Sequence, residues 1–352
     1  MSFQNLTIRD RENWDDYMEK SFIHETFHSW LYHKLINEGE PLLFVHQRDD
    51  LFIALPVIKR TIPDSAYSDM TSAYGYCGPV SNLDLTIISE DVIADFKQGF
   101  KDFMREEKSI CIFSRLHPFS GQQRILEAFG GVRPNGATVY IDLTISAEQQ
   151  KKGYDKRLFR QIKNLREAGY EIKESKSEEA IRAFAHIYHE NMDRLNASSR
   201  YYFDYKYFEG ILNMTGYDNR LLLIYNGSEL ICGAIVLGSR QIIRNHLSAT
   251  ATNYLKHSPS KLLTDEIREI GCRNANKIFH LGGGLAGKVD SLFEFKRRFS
   301  VLKVDDYTWC YVNDEINYNN LVMQSGFEID QVSEYFPLYR QPMLQMTVSC
   351  TD

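Results

Sequence analysis

Two similar segments constrain the fold more than any other feature of the sequence. The segment PLLFVHQRDDLFIALPVI, from Pro41, matches RLLLIYNGSELICGAIVL, from Arg220, when Leu43 is placed opposite Leu223 and the first copy has one extra loop residue. Each segment contains two apolar runs around a polar turn, a pattern that predicts a β-hairpin. Because the pattern occurs twice in one chain, it predicts internal duplication of one folding unit.

The order of the other predicted elements supports this duplication. CIFS, from Cys111, aligns with KIFH, from Lys277, and both copies run hairpin, loop, helix, strand, loop, helix and strand. We therefore expect an α+β fold of two tandem domains, each a mixed, mostly antiparallel sheet with helices on both faces. The expected domains are residues 1–145 and 146–352, with the last strand or strands returning to the N-terminal domain.

Three further predictions concern single segments. Residues 59–73 have the composition of a polar loop, and residues 335–347 are expected to form one or two strands. Residues 147–169 are predicted to form one basic helix, and Gly169 fits the C′ position at its end.

Composition excludes several classes of protein. The 352 residues carry a net charge of −6, so contact with a nucleic acid would need a local basic patch. The six cysteines show no paired metal-ligand spacing, and we expect them to be reduced and no metal to be bound. The chain has neither a signal-peptide pattern nor an apolar run of about 20 residues, which predicts a cytoplasmic protein without membrane insertion.

The most informative single stretch is KIFHLGGGLAGKVDSLFEFKRRFS, residues 277–300. It predicts a buried strand, a glycine loop and a helix that Asp290 caps. Leu292, Phe295 and Phe299 recur at helical spacing, so we expect them to face the core. Lys296 flanks this apolar stripe beside the glycine loop. A cation in that position suits a site where negative charge develops, although a surface lysine lying along an ordinary helix has the same pattern.

Several motifs in this order resemble a known family. The motifs are YGYCGP (74–79), SRLHPF (114–119), REAG (166–169), NMDRLNASSRYYF (191–203), NHLSAT (245–250) and FHLGGG…DSLFEFKRRF (279–299). They cover nearly the whole chain and resemble the FemAB-like aminoacyltransferases, which are tandem GNAT (acyl-CoA N-acyltransferase fold) proteins.

The resemblance implies transfer of an acyl or aminoacyl group to an amine of a peptidoglycan or polysaccharide precursor in the cell envelope. The donor would be aminoacyl-tRNA or acetyl-CoA, with no tightly bound cofactor. Lys296 matches the family's FKxxF helix and would stabilise the oxyanion or the donor's phosphate region.

The donor and the activity stay open at this point. GNAT enzymes that use CoA usually carry a Q/R-x-x-G-x-G/A loop, and neither Tyr74–Ser81 nor Ser248–Lys261 has it. That departure favours the tRNA donor. One alternative is an acetyl-CoA-dependent N-acetyltransferase acting on an amino sugar or small amine. Another is a non-catalytic binding module with the same fold.

Acyl transfer needs proton handling and oxyanion stabilisation, which selects candidate residues. The candidate catalytic residues are Lys296, His246 and Tyr202. The candidate substrate-binding residues are Tyr74, Tyr76, Arg115, His117, Asn196, Arg200, Tyr201, Ser248, Gly282, Gly283, Gly284 and Asp290. The basic helix 151–166 is a candidate tRNA contact, although charge runs often form solvated helix faces.

Overall fold

A computed structural model describes residues 3–329, 331, 333 and 335–342. Its strands are β1 (Phe3–Ile8), β2 (Glu40–Arg48), β3 (Leu51–Thr61), β4 (Ser68–Thr71), β5 (Val80–Ser81), β6 (Ser109–Arg115), β7 (Val132–Asp142), β8 (Glu171–Glu174), β9 (Arg220–Asn226), β10 (Glu229–Gly238), β11 (Ile242–Thr250), β12 (Ile278–Gly282) and β13 (Lys303–Val312). Its α-helices are α1 (Arg11–Lys20), α2 (Trp30–Ile36), α3 (Glu90–Glu106), α4 (Gln122–Glu127), α5 (Ala147–Lys152), α6 (Lys156–Glu167), α7 (Glu178–Arg194), α8 (Tyr205–Leu212), α9 (Ser260–Arg273), α10 (Ser291–Arg297) and α11 (Glu315–Gln324).

The strands form one continuous sheet with an internal repeat. Its order is β1-β2-β3-β4-β6-β13-β7-β12-β11-β10-β9-β8, and β5 pairs with β3. Read inward from either edge, an antiparallel edge strand, β1 or β8, is followed by a hairpin and then by a parallel pair, β4 with β6 or β11 with β12. The two halves therefore repeat one mixed α+β unit, as the aligned segments predict.

The last strand of each half lies in the other half of the sheet. β13 pairs with β6 of the first half, and β7 pairs with β12 of the second, while β7 and β13 also pair with each other. Trp309 of β13 is fully buried in the core of the first half, beside Phe100 and Phe129. The predicted boundary at residue 145 follows the sequence repeat and remains a prediction, because the sheet itself runs across it.

Helices cover both faces of the sheet. Helix α3 places Phe96, Phe100 and Phe103 on the first half, and their spacing of three and four residues forms one apolar face. Helices α6 and α9 pack on one face of the second half, while α7 and α8 belong to a separate core. This last core also contains Phe27 and Tyr32 from the first half. It therefore joins the two halves by apolar packing.

The structure corrects four predictions about single segments. The predicted loop 59–73 contains the buried strand β4. The predicted basic helix 147–169 is two helices, because the first ends at Gly153 and Asp155 caps α6. Residues 335–342 form turns and a 3₁₀ segment at Leu338–Arg340 where a strand was expected, and 343–347 lie outside the described residues. Leu292 is exposed and Phe293 is buried in its place.

Five cysteines, Cys77, Cys111, Cys232, Cys272 and Cys310, are free thiols, whereas Cys350 lies outside the described residues. No helix in the described part of the chain is long and apolar enough to cross a membrane.

Candidate active site

The two parallel strands at the centre of the second half separate and leave a gap. β11 and β12 pair at Ile242–Arg244 and Ile278–His280, and β11 then continues to Thr250 without pairing to β12. In the first half the same position is closed, because Ser72 and Cys77 donate backbone hydrogen bonds to β6. The gap therefore distinguishes the second half, and crevices at the carboxyl ends of parallel strands are common ligand sites.

A β-bulge places His246 at this gap. Ile235 of β10 lies opposite Leu247, and Val236 lies opposite Asn245, so His246 is the extra residue on β11. Bulges re-aim side chains and are frequent beside active sites. The ring of His246 is half-buried and lies against the rings of Phe27 and Tyr74 from the first half.

The glycine loop after β12 positions Lys296. Gly282 has φ +83, which a residue with a side chain adopts at a cost. A Cβ atom on Gly282 would lie 3.2 Å from Lys296 Nζ and 3.6 Å from the Tyr76 hydroxyl. Lys296 Nζ donates a 2.6 Å hydrogen bond to the carbonyl of Gly283. Because an ammonium group has three N–H bonds, two remain for a substrate.

Lys296 forms no ion pair with an acid among the described residues. Burial, and secondarily the nearby charge of Arg115, lowers the pKa of Lys296 to about 8, and the charge of Asp290 offsets only part of this shift. The surroundings of Lys296 therefore make loss of its proton easier than it is in water. A negative charge that develops at this point would stabilise the ammonium form, which is the property expected of an electrostatic stabiliser.

Tyr76 and Arg115 form the wall opposite Lys296. Arg115 Nη2 donates to the Tyr76 hydroxyl at 3.0 Å and to Asp306 Oδ2 at 2.7 Å. Asn135 also donates to Asp306 Oδ2, at 2.7 Å. Asp306 belongs to β13, so the exchanged strand supplies the acid that fixes Arg115 at the site.

A buried polar cluster lies behind Tyr76. Arg244 donates to Glu25 at 2.7 Å and contacts His280 Nδ1, and its guanidinium carbon lies 4.6 Å from the centre of the Tyr76 ring. Burial alone would raise the pKa of Glu25, but the charge of Arg244 lowers it to about 2. His117 is buried in the same cluster, 3.5 Å from Glu25. It therefore faces protein groups, and its proposed contact with substrate would need them to move.

An aromatic wall continues from the site towards the loop after α7. Tyr74 lies 5.9 Å, centre to centre, from the rings of Tyr201, Phe203 and His246. The guanidinium of Arg200 lies over the Tyr201 ring at 4.9 Å. This wall has the composition of a surface for a sugar, a base or a cationic amine.

The remaining candidates lie away from these groups or have structural partners. Tyr202 is exposed and donates to Asp193 at 2.8 Å, and Ser248 is also exposed. Asn196 has φ 47 just beyond the end of α7, a conformation that asparagine tolerates well.

Asp290 is the N-cap of α10, as predicted, and accepts from the backbone N–H groups of Phe293 and Leu285. A Cβ atom on Gly284 would lie 2.5 Å from the Asp290 carboxylate, so this glycine serves the cap.

The structure thus brings nine of the predicted site residues together in two adjoining groups. The first contains Lys296, Gly282, Gly283, Tyr76 and Arg115, and the second contains Tyr74, His246, Tyr201 and Arg200. Sequence reasoning missed Glu25, Arg244, His280, Asp306 and Tyr207. The histidine in FHLGGG and the arginine preceding NHLSAT were the available signals for two of them.

Comparison with known proteins defines the class of fold. No protein-family model and no curated protein matches the sequence. The crystal structure of FemX matches with a TM-score of 0.68 and 13% identity, covering 90% of this chain and 99% of that one. The chain therefore has the tandem GNAT fold in its FemAB-like form.

Two further structures support this assignment of the fold. L-PGS from Bacillus licheniformis matches with a TM-score of 0.56 and 12% identity, over 87% of this chain and 93% of that one. A tandem GNAT protein from the clavulanic acid biosynthesis pathway has a TM-score of 0.50 and 10% identity, over 89% of this chain and 99% of that one.

Proposed function

We propose that this protein is an acyltransferase that moves an aminoacyl or acyl group onto an amine of a cell-envelope precursor. The observation that carries the proposal is the position of Lys296 at the gap between β11 and β12. Its ammonium group is largely desolvated and forms no ion pair with a described residue. The fold shared with FemX supports the reaction class. The C-terminal domain of a protein described as a putative lysylphosphatidylglycerol synthetase from Agrobacterium fabrum has the same fold, with a TM-score of 0.55 and 13% identity over 89% of this chain and 96% of that one, and it supports an envelope acceptor.

The reaction assigns a role to each group at the gap. The acceptor nitrogen bonds to the donor's carbonyl carbon, and the ester C–O bond, or the C–S bond of a thioester, breaks. The amine loses one proton, and the departing oxygen or sulfur gains one. Lys296 stabilises the negative charge on the carbonyl oxygen through its two free N–H bonds, while Tyr76 and Arg115 bind the substrate on the opposite wall.

Both candidate donors carry phosphates, and a cluster of cations suits them. Lys261, at the start of α9, is 8% exposed, and burial together with the charges of Arg298 and Arg157 lowers its pKa. None of these three residues forms an ion pair with another described residue. Because α9 has 14 residues, its N-terminus adds a partial positive charge to the cluster.

The basic segment 151–166 contributes less free charge than its composition suggests. Lys151, Lys152, Lys163 and Arg166 pair with acids of the protein. The cations of this segment without an ion pair to a described residue are Lys156, Arg157 and Arg160, all in α6. We propose that they extend the Lys261 cluster towards a tRNA donor in the cytoplasm, since tRNA is a longer polyanion than CoA.

A donor screen tests the proposal. The purified chain is incubated with amine-bearing envelope precursors and either aminoacyl-tRNAs or acetyl-CoA, and the acceptor mass is measured. We expect an acceptor to gain one acyl group, and Lys296→Ala to reduce the gain. The proposal is wrong if no acceptor gains mass while the wild type and Lys296→Ala bind these donors and precursors equally well. The protein would then be a binding module.

The same screen examines acetyl-CoA as the alternative donor. The observation that favours it is the shared tandem GNAT fold together with the cluster of cations around Lys261. Acetylation of an amino sugar, with no transfer from any aminoacyl-tRNA, would select this alternative.

A further inference from the structure

Four groups from both halves form one chain of hydrogen bonds that ends at His246. The Tyr32 hydroxyl of α2 donates to the backbone carbonyl of Tyr74 at 2.6 Å. The hydroxyls of Tyr32 and Tyr207, a residue of α8, are 3.2 Å apart. The Tyr207 hydroxyl is 2.8 Å from His246 Nε2. Tyr32 and Tyr207 are both buried, so no solvent competes for these bonds.

The number of available protons fixes the direction of these hydrogen bonds. A carbonyl oxygen only accepts, so the single proton of Tyr32 is used on Tyr74. Tyr207 must therefore donate its own proton to Tyr32, because otherwise no proton lies between the two hydroxyls. With the proton of Tyr207 used in this way, the bond to His246 requires a proton on Nε2. All three bonds are satisfied in this arrangement, which requires the Nε2–H tautomer of His246.

The other ring nitrogen of His246 is then an acceptor. Nδ1 carries a lone pair and has no hydrogen-bond partner among the described residues, and the ring is half-buried at the gap. The groups that face the ring from the surrounding elements are Tyr32, Tyr74, Tyr207, Phe27 and Arg244. Among these, Arg244 and the tyrosine hydroxyls are donors, and none is an acid. Burial, and secondarily the charge of Arg244, lowers the pKa of His246 to about 3, so the imidazole is neutral near pH 7.

We propose that Tyr207 and Tyr32 are positioning residues that hold His246 in the Nε2–H form, so that Nδ1 accepts a hydrogen bond from an N–H of the acceptor amine. The proposal rests on the proposed function for the identity of the substrate. It gives His246 the role of a neutral hydrogen-bond acceptor that orients the amine, and the departing proton leaves by another route. The Tyr32 bond to Tyr74 also ties this tautomer to the position of the aromatic wall.

Nitrogen NMR of the full chain with labelled histidine reads the tautomer directly. For the wild type we expect the Nε2–H pattern at neutral pH. Tyr32→Phe removes the acceptor for the Tyr207 proton, so Tyr207 turns to donate to Nε2 and His246 shifts towards the Nδ1–H form. Tyr207→Phe removes the fixed partner and should give a mixture of the two forms. The Nδ1–H form in the wild type, or an unchanged tautomer in Tyr32→Phe, would overturn the proposal.

A matched control separates this effect from loss of a buried hydroxyl. Tyr188 is also buried, and its hydroxyl donates to the carbonyl of Tyr201 at 2.9 Å outside the chain of bonds. Tyr188→Phe should leave the His246 signals unchanged.

Transfer assays then test the contact with substrate. We expect Tyr32→Phe to lower kcat/KM by roughly 10-fold, as loss of one oriented hydrogen bond does, and Tyr188→Phe to change it little. A reversed tautomer with unchanged transfer kinetics would refute the contact with the amine. Absence of transfer by the wild type under every condition would count against the proposed function, and the NMR result would still decide the tautomer.

Discussion

Glu25 and Arg244 form a buried ion pair between the two halves of the molecule, with Glu25 Oε2 2.7 Å from Arg244 Nε. They lie 219 residues apart in the chain, and each is less than a tenth exposed. Because Arg244 also contacts His280 and the Tyr76 ring, the pair links the junction of the halves to the candidate active site.

Removing one partner of this pair should destabilise the fold strongly. Glu25→Gln leaves Arg244 buried without a countercharge, and we expect the free energy of unfolding to fall by about 3 kcal/mol in denaturant titrations. The matched control is Glu178→Gln, which breaks a surface pair with Arg182 and should change stability little, because solvent screens exposed charges. If the two changes lower the free energy of unfolding equally, the buried pair stabilises the fold no more than a surface pair does.

The stability contribution of Glu25 should depend on pH in a defined direction. The folded state lowers the pKa of this carboxyl from 4.5 to about 2, so folding favours the carboxylate. Its contribution is fully present above pH 4.5 and is lost as the pH falls towards 2. The difference in unfolding free energy between wild type and Glu25→Gln should therefore shrink below pH 4.5. A difference that is constant from pH 7 to 3 would contradict this assignment.

Lys296 should control turnover and its dependence on pH. Lys296→Ala is expected to lower kcat by ~10²-fold with little change in melting temperature, because a preorganised charge is lost. The wild-type rate should decline above pH 8, where this ammonium group loses its proton. Lys296→Arg keeps its charge, so whatever activity it retains should not decline there. A large fall in melting temperature for Lys296→Ala would instead indicate a structural role.

The lowered pKa of Lys296 reflects a cost to stability, whereas that of Glu25 reflects a gain, and in both cases stability rises with pH. The folded state disfavours the protonated form of Lys296, so this cost is present below pH 8 and disappears as the pH rises towards 10.5.

Gly282 should be needed for more than its backbone conformation. Gly282→Ala places a methyl group 3.2 Å from Lys296 Nζ and forces an L-residue to adopt φ +83. Gly169→Ala is the matched control, because Gly169 has φ +78 with no atom within 4 Å of the new Cβ. Both changes should cost about 1 kcal/mol of stability, and Gly282→Ala alone should reduce transfer. Similar activity in the two variants would exclude close contact between Gly282 and the reacting groups.

Lys261 should contribute to binding of the donor through its charge. Lys261→Ala is expected to weaken donor binding in calorimetry and to reduce its salt dependence, because fewer counterions are released. Lys163→Ala removes an exposed lysine that already pairs with Glu167, so it should have little effect. Unchanged donor affinity in Lys261→Ala would separate the start of α9 from the donor site.

Local patterns in the sequence predicted much of the fold and part of the site. The hairpins and the cap at Asp290 depend on neighbouring residues, and both formed as their patterns indicated. Lys296 and the glycine loop were found for the same reason. Strand β4 was missed because its sequence, SDMT, has the polar composition of a loop. In the structure Asp69 of this strand is buried, since its carboxylate pairs with Arg60 and Arg340.

The remaining features depend on contacts between distant parts of the chain. Glu25, Asp306 and Tyr207 have no local pattern that marks them, since each acquires its role from a partner in another element. The helical spacing predicts that Leu292 lies in the core, whereas its side chain is exposed. The seven residues of α10 are too few for spacing to decide which face of the helix is buried.

The exchange of β7 and β13 has a consequence for synthesis. When a ribosome has made the first half, β6 still lacks its antiparallel neighbour and Trp309 has not yet been added. An N-terminal fragment would therefore display a free sheet edge and an unfilled core until residues 303–312 emerge, and pairing over such a long sequence separation is slow. The first unit can therefore complete its core only when synthesis of the second unit is nearly finished.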